Sequence, residues 1–124
     1  MKVGVLKSKI HGAVITDCIL DYEGSITIDS EILKKAKLHP YEVVDIYNIT
    51  NGERFTTYII PGEPGSKEVS LNGAAARKAY PGDRVIIVSY CYVDEEAIRN
   101  HKPVVVILDE ENEIVSVEER TIKW

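Results

Sequence analysis

Apolar residues along this chain recur mostly at every second position, in short runs broken by turn-forming residues, which predicts strands rather than helices. Val3 and Val5 alternate with polar neighbours as an opening strand, and residues 13–20 form a second stretch rich in Val, Ile and Thr. Tyr22-Glu23-Gly24-Ser25 breaks that pattern before Ile26 and Ile28 briefly resume it. Asp29 or Ser30 then offers an N-cap for a short helix over residues 31–37, which must end before Pro40. Residues 42–49 and 54–60 read as antiparallel strands, because Asn51-Gly52 between them tolerates the positive φ of a type I′ turn. Residues 61–67 form a surface loop, 68–71 a strand, and 72–77 a turn entering a short helix that Pro81-Gly82-Asp83 closes. Residues 84–93 make a long apolar strand followed by a polar turn. Residues 104–108 and 114–117 then form a last hairpin with an acidic tip.

Short strands with only small helices predict a mainly β domain, either a closed barrel or a sandwich, since closure removes exposed strand edges. Periodicity does not choose between the two. A length of 124 residues fits a single domain over 1–124. Residues 85–88 leave an apolar flank that favours oligomerisation. A net charge of -5, with Lys and Arg scattered, argues against nucleic acid as a partner. Cys18 and Cys91 each stand alone, which suits free thiols in a reducing compartment rather than a disulfide or a zinc site. Lys7 and Lys9 interrupt the start before any apolar run reaches signal-peptide length, and no later run could span a bilayer. A cytoplasmic protein with no membrane contact is therefore expected.

Several residue sets could carry chemistry. Ser25 places a hydroxyl next to the carbonyl of Gly24, where glycine permits unusual torsions and no side chain shields the carbon from attack. Taken alone, a Gly-Ser pair is usually an ordinary turn, and Gly65-Ser66 repeats it in a loop. Arg54, Thr56 and Tyr58 share one strand face, with Thr57 on the other. A guanidinium that binds a carboxylate and a phenol that hands over a proton would together suit an anionic substrate, although a cross-strand cation and aromatic pair on a solvated face is the plainer reading. Lys9 and His11 likewise share a face and could attract an anion. Asn72-Gly73-Ala74-Ala75 combines a turn amide with uncovered backbone that a ligand could approach. His39 and His101 lack metal-ligand spacing, so no metal is expected. Residue by residue, a noncatalytic barrel with an anion-binding patch would explain the same positions.

Taken in order, Lys9-Ile10-His11, Tyr22-Glu23-Gly24-Ser25, the run from Asn48 through Asn51-Gly52-Glu53-Arg54 to Thr57-Tyr58, and Asn72-Gly73-Ala74-Ala75-Ala76 closely resemble the bacterial aspartate 1-decarboxylase family. The resemblance is strongest up to about Arg84. Tyr47 stands where many relatives carry Trp. The resemblance implies a double-psi β-barrel with a few short helices, assembled as a homotetramer with active sites between subunits. It also implies self-cleavage between Gly24 and Ser25, through an acyl shift to the serine oxygen, β-elimination and hydrolysis. The chain would become residues 1–24 and residues 25–124, the latter headed by a covalent pyruvoyl cofactor derived from Ser25. That cofactor would decarboxylate L-aspartate to β-alanine and carbon dioxide, feeding pantothenate and coenzyme A synthesis. By the same resemblance Tyr58 is the proton donor and Lys9 and Arg54 hold substrate carboxylates. Thr57 serves self-cleavage and substrate, residues Gly73, Ala74 and Ala75 line the site, and Asn72 and His11 support it. Some members of the family need a maturation partner.

Overall fold

The computed structural model describes residues 1–121. Nine strands and three short helices follow one another along the chain: β1 (Lys2–Val14), β2 (Asp17–Ile19), β3 (Ser25–Asp29), α1 (Ser30–Ala36), β4 (Val43–Asn48), β5 (Arg54–Gly62), β6 (Val69–Asn72), a 3-10 helix (Gly73–Lys78), β7 (Arg84–Asp94), a second 3-10 helix (Glu95–Asn100), β8 (Val104–Leu108) and β9 (Ile114–Glu119). The strands form one sheet in the order β2-β6-β3-β5-β4-β7-β1-β8-β9. Only Ile15 and Thr16 separate β1 from β2, and Thr16 N–H donates to Val69 of β6 at 2.8 Å. The chain leaving one part of the sheet thus joins its opposite end. This curls the sheet around a shared interior and decides for a barrel over a sandwich. The pairs β1–β8, β2–β6 and β3–β5 are parallel, so the chain crosses over itself instead of running up and down. Such crossovers accord with the double-psi topology.

The interior is apolar because alternate residues of each strand point inward. Ile10, Ile87 and Ile46 lie in one row across β1, β7 and β4, continued by Phe55 of β5. Ile10, Ile46 and Ile87 are fully buried, as are Ile26, Ile28, Ile59 and Leu71 on the other side of the barrel. Helix α1 closes one end through Ile32, Leu33 and Ala36. Of the two caps expected, Asp29 is the one used: its carboxylate accepts from Glu31 N–H at 2.9 Å, and Lys37 ends the helix in the left-handed region with φ 57°. Asp29 also accepts from Gly65 and Lys67 N–H at 3.0 and 2.8 Å, tying the 61–67 segment to the helix.

Three local expectations are corrected. The β4–β5 connection is not a two-residue type I′ turn, which needs positive φ at both central residues; only Gly52 has it, at 79°. Residues 49–53 form a longer loop built on Asn48, whose side chain accepts from Thr50 N–H at 2.9 Å and Asn51 N–H at 3.3 Å. Pro61 and Gly62 belong to β5, because parallel pairing with Ile28 and Asp29 extends the strand beyond Ile60. The polar stretch after β7 is a turn of 3-10 helix rather than a plain turn.

Candidate active site

Strand β5 changes partners along its length, and that change makes a cleft. From Arg54 to Tyr58 it pairs antiparallel with β4; from Ile59 to Gly62 it pairs parallel with β3, beginning at Ile26 opposite Ile59. Ser25 heads β3, so ahead of it no β3 remains to cover the free edge of residues 55–58. A cleft of about 360 Å³ opens there, lined by Gly24, residues 55–58, Ala74, Ala75 and Lys78. On its other side β3 pairs antiparallel with β6, with Ser25 opposite Asn72. The Gly24–Ser25 peptide therefore lies between the Thr57-Tyr58 edge and the Asn72-Gly73 turn.

Ser25 is 2% exposed, whereas Gly24 is exposed to the cleft. Asn72 Nδ2 donates to Ser25 Oγ at 3.0 Å and to Thr27 Oγ1 at 3.1 Å, while the serine hydroxyl reaches Glu23 O only at 3.5 Å. The oxygen is thus held by a firm donor and its own proton is weakly engaged. Gly24 does not have the positive φ that glycine could supply, and a Cβ there would come no nearer than 4.0 Å to Asn72 O. The conformational demand falls instead on Gly73, with φ 68°. A Cβ on Gly73 would sit 2.7 Å from the Gly24 N and Cα and from Tyr22 O. Its missing side chain is what lets the turn press against the segment before Ser25.

Tyr58 lines the cleft, and its ring lies beside that of Tyr41 with centroids 6.2 Å apart. Tyr41 holds a positive φ of 66°, fixed by its N–H donating to Ile59 O at 2.8 Å. Next to it, Glu42 accepts from Lys7 Nζ at 2.7 and 2.8 Å and from the Ser89 hydroxyl. Burial alone would raise the Glu42 pKa; these bonds and one from His39 N–H outweigh it and hold the carboxyl below its ordinary value. The turn behind Tyr58 is anchored by a half-buried charge.

Lys9, His11 and Arg54 do not line this cleft in the single chain. Across the sheet His11 stands in a row with Ile86, Tyr47 and Arg54, and Lys9 in the next row with Val88, Asp45 and Thr56. These residues share the outer face, as alternation required of Lys9 and His11, but Lys9 is three strands, roughly 14 Å, from Thr56. The Arg54 guanidinium lies 4.0 Å over the Tyr47 ring. The Tyr47 and Tyr90 hydroxyls meet at 2.7 Å, and that bond, followed by burial, pushes Tyr90 up to about 12. Burial, then the positive charges of Lys9, Arg84 and Arg120, lowers the His11 pKa.

Sequence reasoning missed Lys78, the one charged side chain among the described residues that line the cleft, and Thr27, the second partner of Asn72. A lysine closing the turn that begins with Asn72-Gly73 was the available signal for the first; the second needed the β3–β6 register. Among the described residues no group of three or more His, Cys, Asp or Glu could hold a metal ion, and no helix is long and apolar enough to cross a membrane.

A family model described as aspartate decarboxylase matches residues 1–115. The chain is 56% identical over 112 residues to a protein of Chlorobium luteolum named aspartate 1-decarboxylase, covering 90% of this chain and 88% of that one. It is 51% identical over 120 residues to a protein of the same name from Caldicellulosiruptor bescii, covering 97% and 94%. A third of that name, from Clostridium kluyveri, is 50% identical over 117 residues, covering 94% and 92%. With nearly the full length matched at about half identity, the chain belongs to the aspartate decarboxylase family.

Proposed function

We propose that this chain cuts itself between Gly24 and Ser25 and then, as a pyruvoyl-dependent enzyme, decarboxylates L-aspartate to β-alanine and carbon dioxide, a step toward pantothenate. The observation that carries the reading is the buried Ser25 hydroxyl, held by Asn72 Nδ2 at 3.0 Å, directly after Gly24, which lines one cleft together with Tyr58. Ser25 Oγ attacks the Gly24 carbonyl carbon and takes the acyl group from its own nitrogen. Asn72 holds the oxygen and eases loss of its proton, and Thr57 hydrogen-bonds the carbonyl oxygen as charge develops. β-Elimination releases residues 1–24 with a C-terminal carboxylate; water then replaces the nitrogen of the dehydroalanine left at position 25, with loss of ammonia.

The donor set fits such a group: a small residue before it, an amide beside it and no bulky side chain on the Ala74-Ala75 wall. Once formed, the pyruvoyl group supplies the electron sink for decarboxylation, as pyridoxal does elsewhere. The chain's own residues do the rest. The backbone of Ala74 and Ala75, which line the cleft, and of Gly73 just before them would border the substrate, and the Tyr58 phenol gives the proton that replaces the lost carboxylate. Lys9, His11 and Arg54 enter through assembly: in a homotetramer with sites between subunits, the outer face of one copy would supply cations to the cleft of the next.

Intact-protein mass spectrometry on purified chain incubated warm, with and without cell extract, tests the reading. Two fragments split after Gly24, the larger reactive toward carbonyl reagents, together with β-alanine formed from aspartate, are expected. Cleavage in extract alone would assign maturation to a partner. A chain intact under both conditions would overturn the proposal.

A further inference from the structure

The cleft has a cation of its own, and it lies on neither of the strands that carry Lys9 and Arg54. Lys78 ends the 3-10 helix Gly73–Lys78, and among the described residues that line the cleft it alone is charged. Its carbonyl accepts from Asn48 Nδ2 at 3.2 Å and Asn51 Nδ2 at 3.0 Å, which pins the root of the side chain to the β4–β5 loop. Its ammonium lies 3.1 Å from Glu53 Oε2 in the same loop, and both side chains are 47% exposed.

An ion pair that exposed is weakly held, and an ammonium carries three N–H donors, so Lys78 can turn one of them toward another carboxylate. An acidic substrate needs such a partner. The chain carries a net charge of -5, which repels anions overall, and the carboxylate that survives decarboxylation must be held throughout. Within one chain Arg54 is engaged by Tyr47, and Lys9 is three strands away.

We propose that Lys78 contacts a substrate carboxylate in the cleft and sets affinity for acidic amino acids, and that Glu53 opposes it by competing for the ammonium and adding negative charge at the entrance. This inference rests on the decarboxylase reading. Glu53 thereby tunes how tightly substrate is held without touching the reacting atoms. The pair makes affinity sensitive to salt, because both the competing and the productive contacts are partly solvated.

Steady-state β-alanine formation by the cleaved enzyme, measured against aspartate concentration at several ionic strengths, tests it. Wild type that forms no β-alanine would sink the decarboxylase reading and this inference with it. Given an active wild type, Lys78→Gln should raise KM roughly threefold to tenfold, with a smaller fall in kcat and a flatter dependence of KM on salt. Lys78→Arg should restore most of the affinity. Glu53 meets its neighbours otherwise through its backbone, so Glu53→Gln should fold and should lower KM. An unchanged KM in Lys78→Gln, a KM equally raised in Lys78→Arg, or a KM not lowered in Glu53→Gln would overturn the inference while leaving the activity intact. Should Lys78→Gln fail to fold, Glu53→Gln, which keeps the lysine, still decides.

Discussion

Inside the barrel, Ile10, Ile87, Ile46 and Phe55 lie in one row across four strands, each supported by neighbours of the same kind. At the open edge of β5 no two neighbours do the same thing: Ser25 carries the hydroxyl, Asn72 its donor, Gly73 the close approach, Tyr58 the phenol and Lys78 the charge. The interior gains from repetition, so the loss of one side chain removes a share of stability and leaves the plan intact. The edge has no redundancy. A single atom lost there should abolish chemistry while barely touching the fold, which makes the two regions separable by experiment.

The largest expected effect comes from Ser25→Ala, which removes the oxygen proposed to attack: mass spectrometry should find one uncut chain, and no β-alanine should form. Production of β-alanine by that variant would show that the chemistry does not begin at this edge. Tyr58→Phe should still be cut, yet its kcat should fall by about 10²–10⁴, the usual worth of a positioned proton donor. A kcat within a factor of about two of wild type would move that role elsewhere. Gly73→Ala combines φ 68° with a Cβ 2.7 Å from backbone atoms of Gly24 and Tyr22, so the turn must shift. Cleavage followed over time should slow by roughly fivefold to 150-fold, the equivalent of about 1–3 kcal/mol of backbone strain.

In the interior, Ile46→Ala should cost about 2–5 kcal/mol in denaturant unfolding while folded molecules still cleave at the normal rate. Slow cleavage in that variant would show that the core transmits strain to the edge. The smallest effect belongs to Asp29, at the end of β3 away from Ser25. Burial would raise its pKa, but bonds from Lys67, Glu31 and Gly65 N–H outweigh that and lower it. A carboxyl whose folded pKa is depressed adds stability that is fully present above its unfolded value and lost as pH falls through the folded one. Thermal melts from neutral pH into acid should therefore show wild type losing its advantage over Asp29→Asn below the ordinary aspartate range. A constant difference across that window would remove Asp29 from the acid response.

Alternation and turn residues were enough to read most of the strands, the short helix after Asp29 and the last hairpin, because each depends on neighbours within a few positions. The residues around Gly24-Ser25, Thr57-Tyr58 and Asn72-Gly73, far apart in the chain, are brought side by side by the β3–β5 and β3–β6 registers. The 49–53 loop was misread locally because Asn48, outside the turn pair, organises it.

What tertiary structure alone decided is which distant residues meet. Barrel closure depends on β1 running into β2 beside β6, and the cleft on β5 changing partners at Ile59; neither leaves a periodic trace, since pairing across tens of residues is set by the whole packed sheet. Arg54 and Tyr58 alternate on one strand as the sequence requires, yet Tyr47 takes the guanidinium while the cleft takes the phenol. Lys78 came to that cleft from the end of the short helix that residues 72–77 announced, a position that local pattern does not tie to β5. Alternation determines which side of a strand a residue faces, but only the completed barrel determines what stands opposite it.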